Sequence, residues 1–276
     1  MDWNKTNTIL ITAFIILNVF LFVSTKNMTN AEYAPMNDKE FAQEVSYLLD
    51  GQNIKINVEI PYDTYILPVL ETEYEIIKIN SKLLENFLNE KIEPVEDVYK
   101  YSNSKGELLE IIDNKKLRLT LRNKVKDNIN ENLKIQEIIN TFLEEKNIDA
   151  SGYIEGYRHT SENECIYVYT RKYNDYSIDN SYMKFFVDNE GIYKFEMQRI
   201  ISVDEIPEKI RTIDAIEALP RILTYPEIKN KEIIKIEMTY YSVEDENWQN
   251  IERINSDPTW KIIFSDGTQI HLPGIE

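Results

Sequence analysis

Two histidines, one cysteine and a short Ser-x-x-Lys run are the residues of this 276-residue chain whose types could do chemistry. Ser102-Asn103-Ser104-Lys105 fits the pattern in which a lysine activates an acylating serine. That chemistry needs S-D-N and K-T-G boxes further on, and neither follows a run that itself lies in a polar loop. His159 and His271 are too far apart to form a zinc-holding H-x-x-x-H pair. Cys165, inside the strand-like CIYVYTRKY, reads as a small buried side chain, and as the sole cysteine it has no internal disulfide partner. Glu244-Asp245-Glu246, and Asp175 with Asp179, are acidic enough to attract calcium but lack the glycine-containing loop spacing of a calcium site. Their expected setting is solvated surface. The seven glycines never cluster into a phosphate loop, and tyrosines such as Tyr167, Tyr169 and Tyr173 fall at strand positions that cross-strand packing explains. No catalytic, cofactor-binding or metal-ligating residue is assigned, no cofactor is expected, and the chain is read as a non-enzyme.

Composition narrows the remaining classes. A hydrophobic share of 42% with only 7 Gly and 9 Pro is that of a packed protein. The net charge of −17 repels polyanions, because nucleic-acid binding depends on Lys and Arg displacing counterions, so no nucleic-acid partner is expected.

The element that must position everything else is Thr6 to Thr25, an uncharged stretch of 20 residues bracketed by Lys5 and Lys26. About 20 apolar residues suffice for a helix to cross a bilayer core. No A-x-A cleavage site follows in STKNMTNAEYA, so the segment is expected to stay on as a signal anchor. The expected layout is a single-pass cell-membrane protein, with a cytoplasmic N-terminus and an extracellular C-terminal domain in contact with the lipid bilayer only through the anchor. Asn7, Ile11, Phe14, Asn18, Leu21 and Thr25 recur at heptad-like steps and share one helix face. Asn18 near the middle would be satisfied by a partner helix. Local pairing with the backbone is the alternative.

Beyond the anchor the pattern is α+β, with helix-plus-antiparallel-sheet units following a single transmembrane helix. Helices are expected from Asn37 to Asp50, near Ser81 to Lys91, over Glu131 to Lys146 and over Thr212 to Leu223, the last shortened by Pro220. Strands are expected at Ile54 to Ile60, Tyr74 to Ile79, Glu107 to Ile112, Leu117 to Arg122, Tyr153 to Arg158, Cys165 to Tyr173, Tyr182 to Val187, Ile192 to Met197, Ile233 to Tyr241, Trp260 to Phe264 and Gln269 to Leu272. YMKFFVDNEGIYKF and TWKIIFSDGTQIHL place Lys184 and Lys261 at matching offsets before an Asp-containing turn, and Asp113 occupies a similar turn. Either two or three related units or the ordinary coincidences of α+β chains account for this. The expected division is residues 1–30 as tail and anchor, 31–128 as a first extracytoplasmic subdomain, and 129–276 as a second.

Several stretches together resemble one family, YycI (WalI). They are Met1-Asp2-Trp3-Asn4-Lys5-Thr6, then Ile16-Leu17-Asn18, then Ala215-Ile216-Glu217-Ala218-Leu219, Tyr240-Tyr241-Ser242-Val243, and Pro258 with Trp260 and Ile262. The resemblance covers the anchor and roughly Asp175 to Phe264, while residues 51–125 match nothing. It implies a non-enzymatic regulator of a WalK-like sensor histidine kinase in a cell-wall-related two-component system. It further implies contact with the kinase through transmembrane helices and association with a YycH-like regulator. Two other classes remain open on the residues alone: an anchored extracytoplasmic ligand-binding or inhibitor module whose helix is only a tether, and a cell-wall enzyme.

Overall fold

The structure, a computed structural model, describes residues 38–122, 132–161, 164–244 and 248–275. The apolar stretch, and with it Asn7, Ile11, Phe14, Asn18, Leu21 and Thr25, lies outside the described residues. Among those described, no helix is long and apolar enough to cross a membrane. The chain divides into two compact units, Met1–Leu48 and Leu49–Glu276. The helix α1 (Asp38–Asp50) is followed by a turn in which Asn53 takes a left-handed φ of 57°.

The second unit carries β1 (Lys55–Ile56), β2 (Ile66–Tyr74), α2 (Ser81–Leu88), β3 (Lys100–Ser102), β4 (Leu108–Ile112) and β5 (Lys116–Thr120). Next come α3 (Asn132–Glu145), β6 (Tyr153–Thr160), β7 (Cys165–Tyr173), β8 (Tyr176–Asp188), β9 (Gly191–Gln198) and β10 (Ile200–Arg211). After the one-turn α4 (Ala215–Ala218) the chain closes with β11 (Glu232–Tyr241), β12 (Arg253–Phe264) and β13 (Gln269–Pro273). The strands form one sheet in the order β10-β2-β12-β11-β8-β9-β5-β4-β3. Off this path, β7 pairs with β8 and β6, β13 with β12, and β1 with β11. Strands from both sides of residue 128 are direct neighbours, since β5 pairs with β9 and β2 with both β10 and β12.

Alternation builds the core. On β4 and β5 the buried residues are Leu109, Ile111, Leu117 and Leu119, and the alternating half of β8 adds Met183, Phe185 and Val187. This face receives Leu84, Phe87 and Leu88 of α2 and Ile139 and Phe142 of α3. Phe142 meets Phe185 edge-on with centroids 5.9 Å apart. Each such side chain contributes about 1.5 to 3 kcal/mol by leaving water. Asn80 caps the start of α2, its side chain accepting from Leu83 N at 2.9 Å. At the other end Lys146 Nζ donates to Phe87 O (2.9 Å) and Asn103 Nδ2 to Leu88 O (2.8 Å), satisfying carbonyls that the helix leaves open.

The three Asp turns form hairpins where expected: Asp113 and Asn114 both take left-handed φ (51° and 56°), which suits a two-residue turn. The turn before β9 uses Gly191 (φ 122°), and the one before β13 uses Gly267 (φ 86°). Elsewhere expectations fail for identifiable reasons. The strands expected at 54–60 and 74–79 shrink to β1 and to the end of β2, while β2 and β10 arise across Pro68 and Pro207. Proline removes a ladder donor, yet here Pro68 pairs with Lys209 beside a register shift that contains Pro207, where such a loss is tolerated. The expected helix over 212–223 is α-helical only from Ala215 to Ala218, because Pro220 falls in the first turn of the 3-10 segment Leu219–Thr224 that replaces it. β12 changes partner midway, pairing Arg253 to Ser256 with β2 and Asp257 to Phe264 with β11.

Candidate functional site

The sheet face opposite α2 and α3 carries charge. One rung runs straight across five strands, with Lys100 opposite Glu110, then Arg118, then Glu196, then Lys184. The signs alternate. Lys100 Nζ lies 3.0 Å from Glu110, and Arg118 Nε 2.7 Å from Glu196, which Lys194 also meets at 2.9 Å. Burial alone would raise the Glu196 carboxyl, but Lys194 and Arg118 outweigh it and hold it below its ordinary value. Lys184 ends the rung without an ion-pair or hydrogen-bond partner among the described residues, its Nζ 4.4 Å from the Tyr182 ring centroid. Burial pushes its ammonium down, with Glu196 opposing and Lys116 and Lys261 adding to the effect.

Lys184 faces a cavity of about 240 Å³, and the backbone feature that shapes its wall is a bulge in β8. Thr170 and Arg171 of β7 are consecutive, yet their partners are Tyr182 and Ile178, so Asp179, Asn180 and Ser181 are three extra residues. Extra residues in one strand re-aim side chains, and these three turn inward. Asp179, 5% exposed, sits 3.1 Å from Lys261 Nζ and 2.6 Å from His271 Nε2. Burial would raise its carboxyl, but the Lys261 ammonium and the His271 hydrogen bond hold it far below the usual carboxylate range. Lys261, 2% exposed, also has Glu237 at 3.8 Å. The His271 ring stacks on Tyr241 with centroids 3.8 Å apart.

Asn180 donates from Nδ2 to Ser242 O (3.0 Å) and Glu244 Oε1 (3.1 Å), and accepts from Ser242 N at 2.7 Å. Gln198 Nε2 donates to Asn180 O (3.0 Å), and the Ser181 hydroxyl meets Tyr153 OH at 2.7 Å. The network is not fully satisfied, since the buried Gln198 Oε1 has no hydrogen-bond partner among the described residues, and neither does Tyr157 OH or Thr170 Oγ1. Thr170 Oγ1 is closed off from solvent. It lies against Gly156 of β6, where an added Cβ would come within 2.8 Å of it.

The sequence expectations fare unevenly here. Asp179, expected on solvated surface, is a buried ion-pair partner, because the bulge turns it inward and Lys261 compensates its charge. Asp175, Cys165 and His159 take no part in the cavity. Ser102 lies on β3, and the following Asn103 folds the loop, accepting at Oδ1 from Lys105 N (3.1 Å) and Glu107 N (2.9 Å). The S-x-x-K serine is therefore in a hairpin, where no helix aims its hydroxyl. Asp179 with His271 has the form of a base and its orienting acid, but acyl transfer also needs a nucleophile on the imidazole. Among the described residues no hydroxyl or thiol is hydrogen-bonded to that ring. No group of three His, Cys, Asp or Glu among them could hold a metal. Sequence reasoning missed Lys184 and Lys261 as site residues, although charged residues inside the apolar runs YMKFF and TWKIIF were the available signal.

The fold defines a class: an α+β protein built on a large, mostly antiparallel sheet, packed by α2 and α3 on one face and charged on the other over β3, β4, β5, β9 and β8. The match to the YycI protein family model spans residues 36–271, and the chain belongs to that family. The match includes residues 51–125, where the sequence alone offered no resemblance. No curated protein matches. YycH from Bacillus subtilis is a structural neighbour at 10% identity and TM-score 0.54, over 77% of this chain and 53% of that one. An uncharacterized protein from Eubacterium rectale matches at 10% identity and TM-score 0.42, over 83% of this chain and 94% of the other. The C-terminal domain of YpeB from Bacillus megaterium matches at 10% identity and TM-score 0.33, over 69% and 95%.

Proposed function

We propose that this chain is a non-enzymatic, membrane-anchored regulator of a WalK-like sensor histidine kinase in a cell-wall-related two-component system. The observation that carries the reading is the YycI family match across residues 36–271, and the YycH-like fold supports it. In this reading the stretch from Thr6 to Thr25 crosses the cell membrane once, leaving the N-terminus cytoplasmic and the sheet outside. Asn7, Ile11, Phe14, Asn18, Leu21 and Thr25 form the face that meets the kinase helices, and the external unit associates with a YycH-like partner. Such a protein shifts the kinase between signalling states only to the extent that it binds them with different affinity.

The test is Asn18→Leu in the full-length chain. An interhelical amide hydrogen bond contributes about 0.6 to 2 kcal/mol, so crosslinking to the kinase should fall about 3- to 30-fold, with the circular dichroism of the external fold unchanged. Undiminished crosslinking together with unaltered kinase output would refute this kinase-facing helix face.

A further inference from the structure

We propose that the cavity between the start of α2 and the strands β5 and β9 binds a phosphate monoester, its anionic group held by the Lys78 and Lys82 ammoniums and its organic part laid on an apolar floor. The observation that carries this is a local reversal of charge. The chain has 48 Asp and Glu against 31 Lys and Arg, so carboxylates are in excess. Accordingly Lys100, Arg118, Lys194, Lys231, Arg253 and Lys261 each have one at 2.7 to 3.1 Å. Around this cavity stand Lys78, Lys82, Lys146 and Arg199, and Glu75 is the one carboxylate among its described lining residues. Arg199 Nε answers that carboxylate at 3.4 Å, and Lys146 Nζ donates to Phe87 O. Lys78 and Lys82 are exposed, and their ammoniums have no ion-pair or hydrogen-bond partner among the described residues. A dissolved ligand can therefore reach both.

Backbone bonds fix where these residues stand. Glu75 N donates to Arg199 O (2.9 Å) and Ile77 N to Asn114 O (2.7 Å), which ties the segment between β2 and α2 to the end of β9 and to the β4–β5 turn. Lys78 precedes the cap Asn80 by two residues and Lys82 follows it by two, so the pair flanks the start of a helix whose first turn carries no acidic residue. The helix dipole favours an anion at that end. A cleft lined by one sign of charge over apolar walls concentrates counter-ions, and lysine binds phosphate as a point charge. A surplus of three cations over one carboxylate suits a dianion better than a monocarboxylate. At about 370 Å³ the cavity falls at the small end of the roughly 300 to 1,000 Å³ range of small-molecule sites, and Leu83, Leu117 and Met197 supply its apolar floor. A dissolved ester and a lipid headgroup present the same phosphate. This inference does not depend on the kinase reading, since it concerns only residues between 75 and 199.

The experiment is a thermal-unfolding titration of the full-length chain in micelles of a neutral detergent with phenyl phosphate, benzoate or chloride as sodium salts at constant ionic strength. A ligand of the native state raises Tm in a saturable way. Phenyl phosphate should do so, benzoate, with the same ring but a single charge, should need at least about tenfold more, and chloride should give no saturable shift. Lys78→Gln combined with Lys82→Gln should weaken the phenyl phosphate affinity at least about tenfold, the loss expected of two charge-assisted contacts. Lys209→Gln combined with Lys229→Gln, exposed lysines outside the cavity that change the net charge equally, should leave it unchanged. Adding phosphatidic acid to the micelles separates the two sources: a headgroup ligand raises Tm before any phenyl phosphate is present, whereas a site for a dissolved ester keeps its full phenyl phosphate shift. The proposal is overturned if phenyl phosphate behaves as chloride does, if benzoate matches it, if the Lys78 and Lys82 double variant keeps the wild-type response, or if the control pair loses as much. Should the double variant not fold, the two single variants decide in the same way.

Discussion

Replacing Lys261 by Met tests the account of the β8 bulge most directly. Lys261 Nζ and the Asp179 carboxylate are 3.1 Å apart, with side chains 2% and 5% exposed, so water cannot compensate either charge. Removing one partner of a buried pair leaves the other uncompensated, at a cost of about 3 to 5 kcal/mol. His271, 2.6 Å from the same carboxylate, remains and places the expectation toward the lower end. For a unit of this size about 3 kcal/mol lowers Tm by roughly 6 to 12 °C. The pH dependence has a defined sign. Folding lowers the Asp179 carboxyl, so its ionised form stabilises the native protein at neutral pH. That contribution is lost as pH falls below about 4, the ordinary unfolded value, toward the lower native one. In Lys261→Met the native carboxyl rises, so the penalty is greatest near pH 7 and shrinks toward pH 4. Denaturant titrations followed by tryptophan fluorescence at both pH values measure it. Adding Asp179→Asn should recover more than about 1 kcal/mol, since the two positions are coupled. A loss under about 1 kcal/mol at pH 7, or an equal loss at both pH values, would refute the reasoning.

Asn103→Ala should cost about 2 to 3 kcal/mol in the same titration, because it removes the donor to Leu88 O and the acceptor for two loop amides. Unchanged stability would show that the loop is held by other contacts. Gly267→Ala should cost at least about 1 to 2 kcal/mol, since the residue has φ 86° and its new methyl would come within 2.9 Å of the His159 ring. A neutral result would mean that the β12–β13 turn can relax.

How much of this was legible depends on how local the cause is. β4, β5, β7 and β9 were legible because alternation is written within a few residues, as in the buried Leu117 and Leu119 flanking Arg118. β2 and β10 were not, because Pro68 and Pro207 argue against strands unless a bulge beside them is known. The cavity was the least legible part. Asp179 and His271 are 92 positions apart and meet only through the pairing of β8, β11, β12 and β13. The matching offsets of Lys184 and Lys261 pointed at both residues, but only the sheet order brings them to one wall. The kinase-facing face of the apolar stretch, in contrast, rests on sequence spacing and family membership.

The partner change within β12 has a mechanical meaning. One continuous strand is bonded to β2 through Arg253 to Ser256 and to β11 through Asp257 to Phe264. A slip of one residue at either end would exchange the faces of its side chains. Trp260, whose indole donates to Ile213 O at 3.1 Å, would turn outward, and Lys261 would leave Asp179 for the apolar side. β12 is therefore keyed at two separate points, and the register that seats Trp260 is the same one that brings Lys261 to Asp179.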